Sequence, residues 1–265
     1  MSERRVLVHP SKQELAESVA ARFVTKLTKI LGKQDLAHVV LTGGSMGIAV
    51  LAAVNASPHR DDVDWSRVHV WWGDERWLPR LDDERNEKQA REALLDHIGV
   101  DEAKVHAFAA SDDGVELDDA AVAYARELAA HAEPGTRLPR FDITFLGVGP
   151  DGHIASLFPE RSGIRLKEAN VIAVRNSPKP PPERLSLTLP AINNSDRIWL
   201  VIAGADKASA LGLTLAGVSH FEVPAAGVNG RVRTDFHVDS DATAEVPENL
   251  MATEIYWTAA DSPEE

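Results

Sequence analysis

Residues 141–158, FDITFLGVGPDGHIASLF, place the strongest constraint on how this chain can fold. The stretch starts as an apolar run, breaks at the glycine-containing turn 149–152, and then presents His153. A buried strand that ends in a glycine turn is typical of open α/β sheets, which bind ligands in the crevice outside the carboxyl ends of their strands. The stretch therefore predicts a strand that delivers His153 to this edge, with the start of a helix after it.

The remainder of the chain alternates in the same way between strand-like and helix-like segments. Apolar or β-rich runs predict further strands at residues 4–9, 37–41, 68–72, 171–174, 184–189 and 197–203, with a weaker pattern at 231–238. Helical spacing of apolar residues predicts helices from a capping box at 11–14 to Gly32, and at 46–55, 86–97, 117–132 and 206–216. This order predicts an α/β fold with a mostly parallel sheet and helices on both faces. We expect one domain with a core at about residues 4–257 and a frayed tail at 258–265.

Composition limits the classes of partner. The chain has 28 Lys and Arg against 41 Asp and Glu, a net charge of −13, which opposes a large nucleic-acid footprint. It has no cysteine, which suits a reducing compartment, and no apolar run long enough to span a bilayer. We therefore expect a cytoplasmic protein with no nucleic-acid or membrane partner. An anionic ligand would need a local positive site built from a few Arg, Lys and backbone N–H groups.

The segment Thr42-Gly43-Gly44-Ser45 follows a predicted strand and opens a predicted helix. Glycines let the backbone approach a ligand, and free N–H groups at a helix start favour an anion such as phosphate. The alternative is a plain tight turn in which Ser45 caps the helix. Neither the P-loop pattern nor G-x-G-x-x-G is present, so nucleotide binding is not predicted.

Charged residues lie near the ends of three other predicted strands. Gly73-Asp74-Glu75-Arg76 places two carboxylates and a guanidinium at a strand end, and Arg forms forked hydrogen bonds with phosphate or carboxylate. Arg184 and Lys207 are single charges near other strand ends. Each could be an ordinary surface group, but the strand ends of one parallel sheet converge on one edge.

Asp151-Gly152-His153 is the acid–base candidate. An imidazole ordinarily titrates near neutral pH, and a neighbouring carboxylate can orient it and stabilise its protonated form. The alternative is a histidine that caps a helix. A zinc site is disfavoured because the chain lacks Cys and H-E-x-x-H, and Ser45 and Ser156 lack the G-x-S-x-G context of a serine nucleophile. Water activated by His153 is the simpler chemistry.

The string GVGPDGHIASLFP at residues 147–159 resembles the signature of 6-phosphogluconolactonases. The similarity continues through Gly43-Gly44-Ser45, residues 73–76 with Pro79, Arg184 with Ser186 and Thr188, and residues 204–208, and it runs in order from about residue 4 to 227. The resemblance implies a Rossmann-like fold and hydrolysis of 6-phospho-D-glucono-1,5-lactone without metal or cofactor. It implies that His153 is the general base and that Asp151 orients it or contacts a sugar hydroxyl. The groups that it implies for binding the phosphorylated sugar are Gly43, Gly44, Ser45, Asp74, Arg76, Arg184 and Lys207.

The chain departs from this family at two places. Met46-Gly47 stand where the family usually has Thr or Ser followed by Pro, which predicts a looser helix start. Residues 229–246 match the family pattern poorly, so no role is carried over there.

Two alternative functions stay open at this point. Glucosamine-6-phosphate deaminases resemble the same loops, although Arg76 and the Ser-Leu-Phe-Pro at 156–159 favour the lactonase. A non-catalytic sugar-phosphate-binding domain would be expected to carry a basic face, which the net charge of −13 opposes. We expect a monomer or a weak dimer that acts on a small phosphorylated sugar lactone.

Overall fold

A computed structural model describes residues 3–244 and 246–251 of the protein, and the backbone of residues 256–258. The described strands are β1 Glu3–His9, β2 Ala37–Leu41, β3 Val68–Trp72, β4 Asp74–Arg76, β5 Phe141–Gly147, β6 Val171–Val174, β7 Arg184–Leu187, β8 Ser195–Ile202, β9 Arg233–Asp239 and β10 Tyr256–Thr258. The described helices are α1 Lys12–Leu31, α2 Gly44–Ala56, α3 Asn86–Ala93, α4 Leu117–Ala130, α5 Leu189–Ile192, α6 Ala208–Leu215, α7 Ser240–Thr243 and α8 Glu248–Met251.

Seven strands form a parallel sheet in the order β10-β1-β9-β8-β5-β2-β3. Helices α1 and α2 pack against each other and contact strands of this sheet. The apolar face predicted for α1 is buried, and its Phe23 ring meets Phe145 of β5 edge-on at 5.1 Å between centroids. The predicted α/β class, with a mostly parallel sheet flanked by helices, is confirmed.

The strand order creates a crevice between β2 and β5. The chain passes from β2 to β3 in one direction and from β5 to β8 in the other, so the connections diverge at this point. Such a switch point is where open α/β sheets bind ligands, outside the carboxyl ends of the strands. The segment after β2 and the turn after β5 therefore face the same space.

A second, antiparallel sheet has the order β4-β7-β6. The sequence pattern predicts residues 73–76 at the end of the strand 68–72, whereas residues 74–76 form β4 and pair with β7. In this register Asp74 lies opposite Ser186, and Arg76 lies opposite Arg184. The pairing joins two segments that are far apart in sequence, which local patterns cannot indicate.

The prediction that a helix starts after His153 is wrong. Residues 154–157 form a tight turn closed by a bridge between Ile154 and Leu157, and Leu157 N donates to Ile154 O at 2.9 Å. Ala155 has a φ of 46°, which a right-handed helix does not allow. His153 is therefore presented by a turn rather than by a helix.

The C-terminal segment contributes more to the sheet than its weak pattern suggested. Strand β9 lies between β8 and β1 in the interior of the sheet. Strand β10 includes Thr258, the first residue of the predicted frayed tail, and residues 259–265 of that tail lie outside the described residues. Within the described ranges, no helix combines the length and apolar character needed to cross a membrane.

Candidate active site

The segment between β2 and α2 forms one wall of a cleft. Helix α2 has Gly43 as its N-cap, and Gly44 has a φ of 78°. A Cβ on Gly43 would lie 1.8 Å from Asn86 Oδ1, so the close packing of Asn86 requires glycine at this position. Because a glycine N-cap offers no side chain to cap the helix, the first N–H groups of α2 are left for a ligand in the cleft.

Met46 and Gly47, the departure from the family pattern, lie in the first turn of α2. The helix starts at Gly44, so the absence of proline does not delay it. Met46 is buried, and a Cβ on Gly47 would lie 2.3 Å from the backbone oxygen of Thr42. Gly47 therefore lets the helix pack closely on the end of β2.

The turn after β5 holds His153 against Asp151. His153 Nδ1 lies 2.6 Å from Asp151 Oδ1, which leaves Nε2 for proton transfer. A Cβ on Gly149 would lie 2.0 Å from His153 Nδ1, and Gly152 has a φ of 79°, so both glycines are needed for this geometry. Burial acts to raise the pKa of Asp151, but the hydrogen bond and charge of His153, together with Lys179, outweigh it and hold this pKa well below its usual value.

Lys179 is a site residue that the sequence analysis missed. Its Nζ lies 3.4 Å from Asp151 Oδ1 and 3.5 Å from His153 Nδ1. The lysine stands in the proline-rich segment 177–182. A cation embedded among prolines is the one signal that could have drawn attention to it.

Arg184 holds this proline-rich segment in place. Its Nη2 donates to Pro180 O at 2.7 Å and to Lys179 O at 3.2 Å, and its Nε donates to Pro181 O at 3.1 Å. The predicted anion-binding residue thus lines the cleft and also braces the segment that carries Lys179.

Asp74 lines the cleft, and its carboxylate already accepts a hydrogen bond from within the protein. Ser156 Oγ donates to Asp74 Oδ2 at 2.7 Å, and Asn86 Nδ2 donates to the Asp74 backbone oxygen at 2.8 Å. Asn86, which the sequence analysis also missed, therefore connects the β2–α2 segment to β4. Ser156 is buried and bonded to a carboxylate, so it is a structural group in this arrangement.

Arg76 and the neighbouring Glu75 face different surroundings. Arg76 lines the cleft, and its Nη1 donates to Glu84 O at 2.6 Å. Glu75 is buried and accepts from the backbone N–H groups of Asn86 at 2.7 Å and Glu87 at 2.9 Å, so it caps α3. Burial raises the pKa of Glu75 to about 7.

Lys207 approaches from the end of β8. It stands in a short turn after Gly204, whose φ is 101° and whose N–H donates to both Asp239 carboxylate oxygens at 3.0 and 3.1 Å. Lys207 Nζ donates to Asp206 Oδ2 at 2.7 Å. Asp239 at the end of β9 thus fixes the segment that positions Lys207, although no role was predicted for residues 229–246.

These segments enclose a cleft of about 240 Å³. Every predicted site residue lines this cleft except Asp151, which contacts Nδ1 of His153. The lining cations are Arg76, Lys179, Arg184 and Lys207. A chain with a net charge of −13 therefore concentrates positive charge beside one imidazole. Such a site can hold an anionic ligand and move a proton at its other end.

This chain is similar to known proteins over most of its length. The family described as glucosamine-6-phosphate isomerases/6-phosphogluconolactonase matches residues 10–236. The 6-phosphogluconolactonase of Streptomyces coelicolor is 50% identical over 250 residues, which cover 93% of this chain and 96% of that protein. The crystal structure of 6-phosphogluconolactonase from Thermotoga maritima is 27% identical, with a TM-score of 0.78 over 90% of this chain and 100% of that chain.

The fold itself is shared more widely. A monomeric glucosamine-6-phosphate deaminase superimposes with a TM-score of 0.75 over 91% of this chain and 99% of that chain at 18% identity, a likeness that concerns the fold alone. The extensive match to the family and the 50% identity to one of its curated members are decisive. The chain belongs to the family of glucosamine-6-phosphate isomerases and 6-phosphogluconolactonases.

Proposed function

We propose that this chain is a 6-phosphogluconolactonase, which hydrolyses 6-phospho-D-glucono-1,5-lactone to 6-phospho-D-gluconate in the oxidative pentose phosphate pathway. The observation that carries the proposal is the Asp151–His153 pair, 2.6 Å apart, at a cleft lined by cations. The 50% identity to a 6-phosphogluconolactonase over 93% of this chain supports the lactone, rather than an aminosugar phosphate, as the substrate.

The phosphate binds at the start of α2 in this proposal. Gly43, Gly44 and Ser45 supply backbone N–H groups and the positive end of the helix dipole. Arg76 and Lys207 add positive charge from two other strand ends. Together they place the lactone ring toward His153.

His153 is the general base. Its Nε2 takes a proton from a water molecule as the water oxygen attacks the lactone carbonyl carbon, because Asp151 occupies Nδ1. When the bond from that carbon to the ring oxygen breaks, the imidazolium returns the proton to the departing oxygen. Asp151 stays ionised and stabilises the imidazolium, as its lowered pKa favours.

The decisive experiment follows the lactone directly. Glucose-6-phosphate dehydrogenase generates the lactone, and its disappearance is recorded with and without the protein. We expect clear acceleration by the wild type.

His153→Ala should lose about 10²–10⁴-fold of kcat, the usual range for one general base, while still binding 6-phosphogluconate. Loss of the lactone at the spontaneous rate with wild-type protein would refute the function. Full turnover by His153→Ala would refute only the role of the base. Release of ammonia from glucosamine 6-phosphate would favour the deaminase.

We also propose a single cytoplasmic domain that is a monomer or weak dimer, with no nucleic-acid or membrane partner. One family match spanning residues 10–236 supports the single domain, and the absence of cysteine suits a reducing compartment. A single cooperative unfolding transition tests the single domain, sedimentation equilibrium tests the oligomeric state, and cell fractionation tests the cytoplasmic location.

A further inference from the structure

A second group of titratable side chains lies at the opposite edge of the parallel sheet. His69 lies near the amino end of β3, His106 follows the short helical turn Glu102–Lys104, and His131 follows directly after α4. We call these three residues the histidine cluster. The catalytic proposal uses none of them, because the cleft lies at the carboxyl ends of the strands.

The nitrogens of the histidine cluster are spaced for a metal ion. One ring nitrogen from each of the three residues lies within 4.8 Å of the others, and His69 Nδ1 lies 2.8 Å from His106 Nε2. Zinc–nitrogen bonds of roughly 2.0–2.1 Å place two ligands of a tetrahedral ion about 3.4 Å apart. Small side-chain rotations therefore suffice to bring all three nitrogens to one ion.

Glu127 orients two of the three rings. Its carboxylate oxygen Oε1 lies 2.8 Å from His106 Nδ1, and its backbone oxygen lies 3.0 Å from His131 Nδ1. Because both oxygens can only accept, both Nδ1 atoms carry hydrogen and both Nε2 atoms present lone pairs. Metal-binding histidines almost always donate their other N–H to a carboxylate or a carbonyl in this way.

The surroundings favour a cation. Helix α4 ends at Ala130, so the negative end of its dipole lies beside His131. His69 and His106 are buried, which shields an ion from bulk water. When the ion binds, the proton of His69 moves from Nδ1 to Nε2. The lone pair left on Nδ1 then coordinates the ion, and the hydrogen bond from His69 to His106 is lost.

We propose that the histidine cluster binds one divalent transition-metal ion, with zinc as the expected ion. Imidazole nitrogen is a preferred ligand of this class of metal, and a water molecule completes the tetrahedron. The ion connects β3, the segment before α4 and the end of α4. It therefore stabilises the folded state and takes no part in the reaction in the cleft.

The test uses the full chain freed of metal by chelation and dialysis. Zinc chloride is titrated calorimetrically, and thermal unfolding is followed with and without zinc. Copper(II) gives an optical signal, because the Trp71 ring stacks on His106 at 3.8 Å and its fluorescence should be quenched. We expect one zinc per chain at micromolar concentrations or below, and a higher unfolding temperature.

Two variants locate the site and two serve as controls. His131→Ala removes a ligand whose side chain is 28% exposed, so the fold should tolerate it. Zinc affinity should fall by more than the roughly 10–100-fold that loss of a ligand's hydrogen-bond partner costs. Glu127→Gln should weaken zinc binding by about 10–100-fold. His59→Ala, at a side chain that is 74% exposed, and His153→Ala, in the cleft, should bind zinc like the wild type.

Three outcomes would overturn the proposal. The first is wild-type protein that binds no zinc at micromolar concentrations. The second is His131→Ala with unchanged affinity, and the third is binding that disappears in His153→Ala, which would place the metal in the cleft. Lactone hydrolysis is measured in parallel, and His131→Ala should retain the wild-type rate.

Discussion

Two histidine–carboxylate pairs lie at opposite edges of the parallel sheet with nearly the same geometry. His153 Nδ1 is 2.6 Å from Asp151 at the carboxyl edge, and His106 Nδ1 is 2.8 Å from Glu127 at the amino edge. In each pair the carboxylate occupies Nδ1 and leaves the lone pair on Nε2, which in His106 faces His69 Nδ1 at 2.8 Å. The pair alone therefore does not distinguish a general base from a metal ligand.

The neighbours of the two pairs make the difference. At the carboxyl edge, the cleft is lined by the start of α2, by Lys179 and by Lys207, all of positive character. At the amino edge, the end of α4 and ring nitrogens of two further histidines lie around His106. The first setting attracts an anion and repels cations, whereas the second attracts a cation. Charge around the imidazole thus selects the chemistry that the same pair performs.

The largest effect should come from the same chemical change made at both pairs. Asp151→Asn removes the charge that holds and stabilises the His153 imidazolium, so kcat should fall by about 10²–10⁴-fold with zinc affinity unchanged. Glu127→Gln should leave kcat unchanged and weaken zinc binding by about 10–100-fold. The lactone assay and calorimetric zinc titration of both variants test this. A variant that alters both properties would show that the two edges are not independent.

A smaller effect is expected from removing one cation of the cleft. Lys207→Ala should raise KM for the phosphorylated lactone by about 10–100-fold, the value of one hydrogen bond to a charged group, with little change in kcat. Lys88→Ala is a matched control, because Lys88 is also paired with a carboxylate and is 25% exposed, against 21% for Lys207, but lies outside the cleft lining. Equal KM values for the two variants would remove Lys207 from the binding site.

Short-range patterns predicted much of this structure from the sequence. The strands at 37–41, 68–72 and 171–174 have the predicted bounds, because each is a short run of β-favouring apolar residues with polar or glycine residues beside it. Glycine-rich turns after β2 and β5 also predicted that residues 43–45 and His153 would meet in the cleft, since parallel strands end at one edge. This reasoning needs only local sequence and sheet geometry.

Long-range packing set the features that were missed. Strand β4 exists because residues 74–76 pair with β7 more than a hundred positions away. Ala155 adopts a φ of 46° that nothing in its own sequence requires. Lys179 reaches His153 because Arg184 holds the intervening backbone carbonyls. For β4 and for the contact of Lys179 with His153, a partner remote in sequence decides the outcome.

A third pair consists of two histidines without a carboxylate, and it affects stability rather than ligand binding. His9 Nε2 lies 3.4 Å from His237 Nδ1, both rings are buried, and the other nitrogen of each has no hydrogen-bond partner among the described residues. Burial, together with the charge of Arg22, lowers the pKa of His9 to about 4. Burial likewise places the pKa of His237 well below its usual value. A pair of this kind can neither hold a proton for catalysis nor bind one without loss of stability.

The sign of the pH effect follows from this lowered pKa. The unfolded chain takes up protons on His9 below pH of about 6.5, while the folded chain does so only near pH 4, so the free energy of unfolding falls as the pH drops through this window. Between neutral pH and pH 5, replacing His9 with Leu should flatten this fall by about 2 kcal/mol, at roughly 1.4 kcal/mol per pH unit below about 6.5. Urea unfolding at neutral pH and near pH 5 measures the slope, with His59→Ala as the exposed control. An equally steep fall in His9→Leu would mean that groups other than His9 set the acid limit.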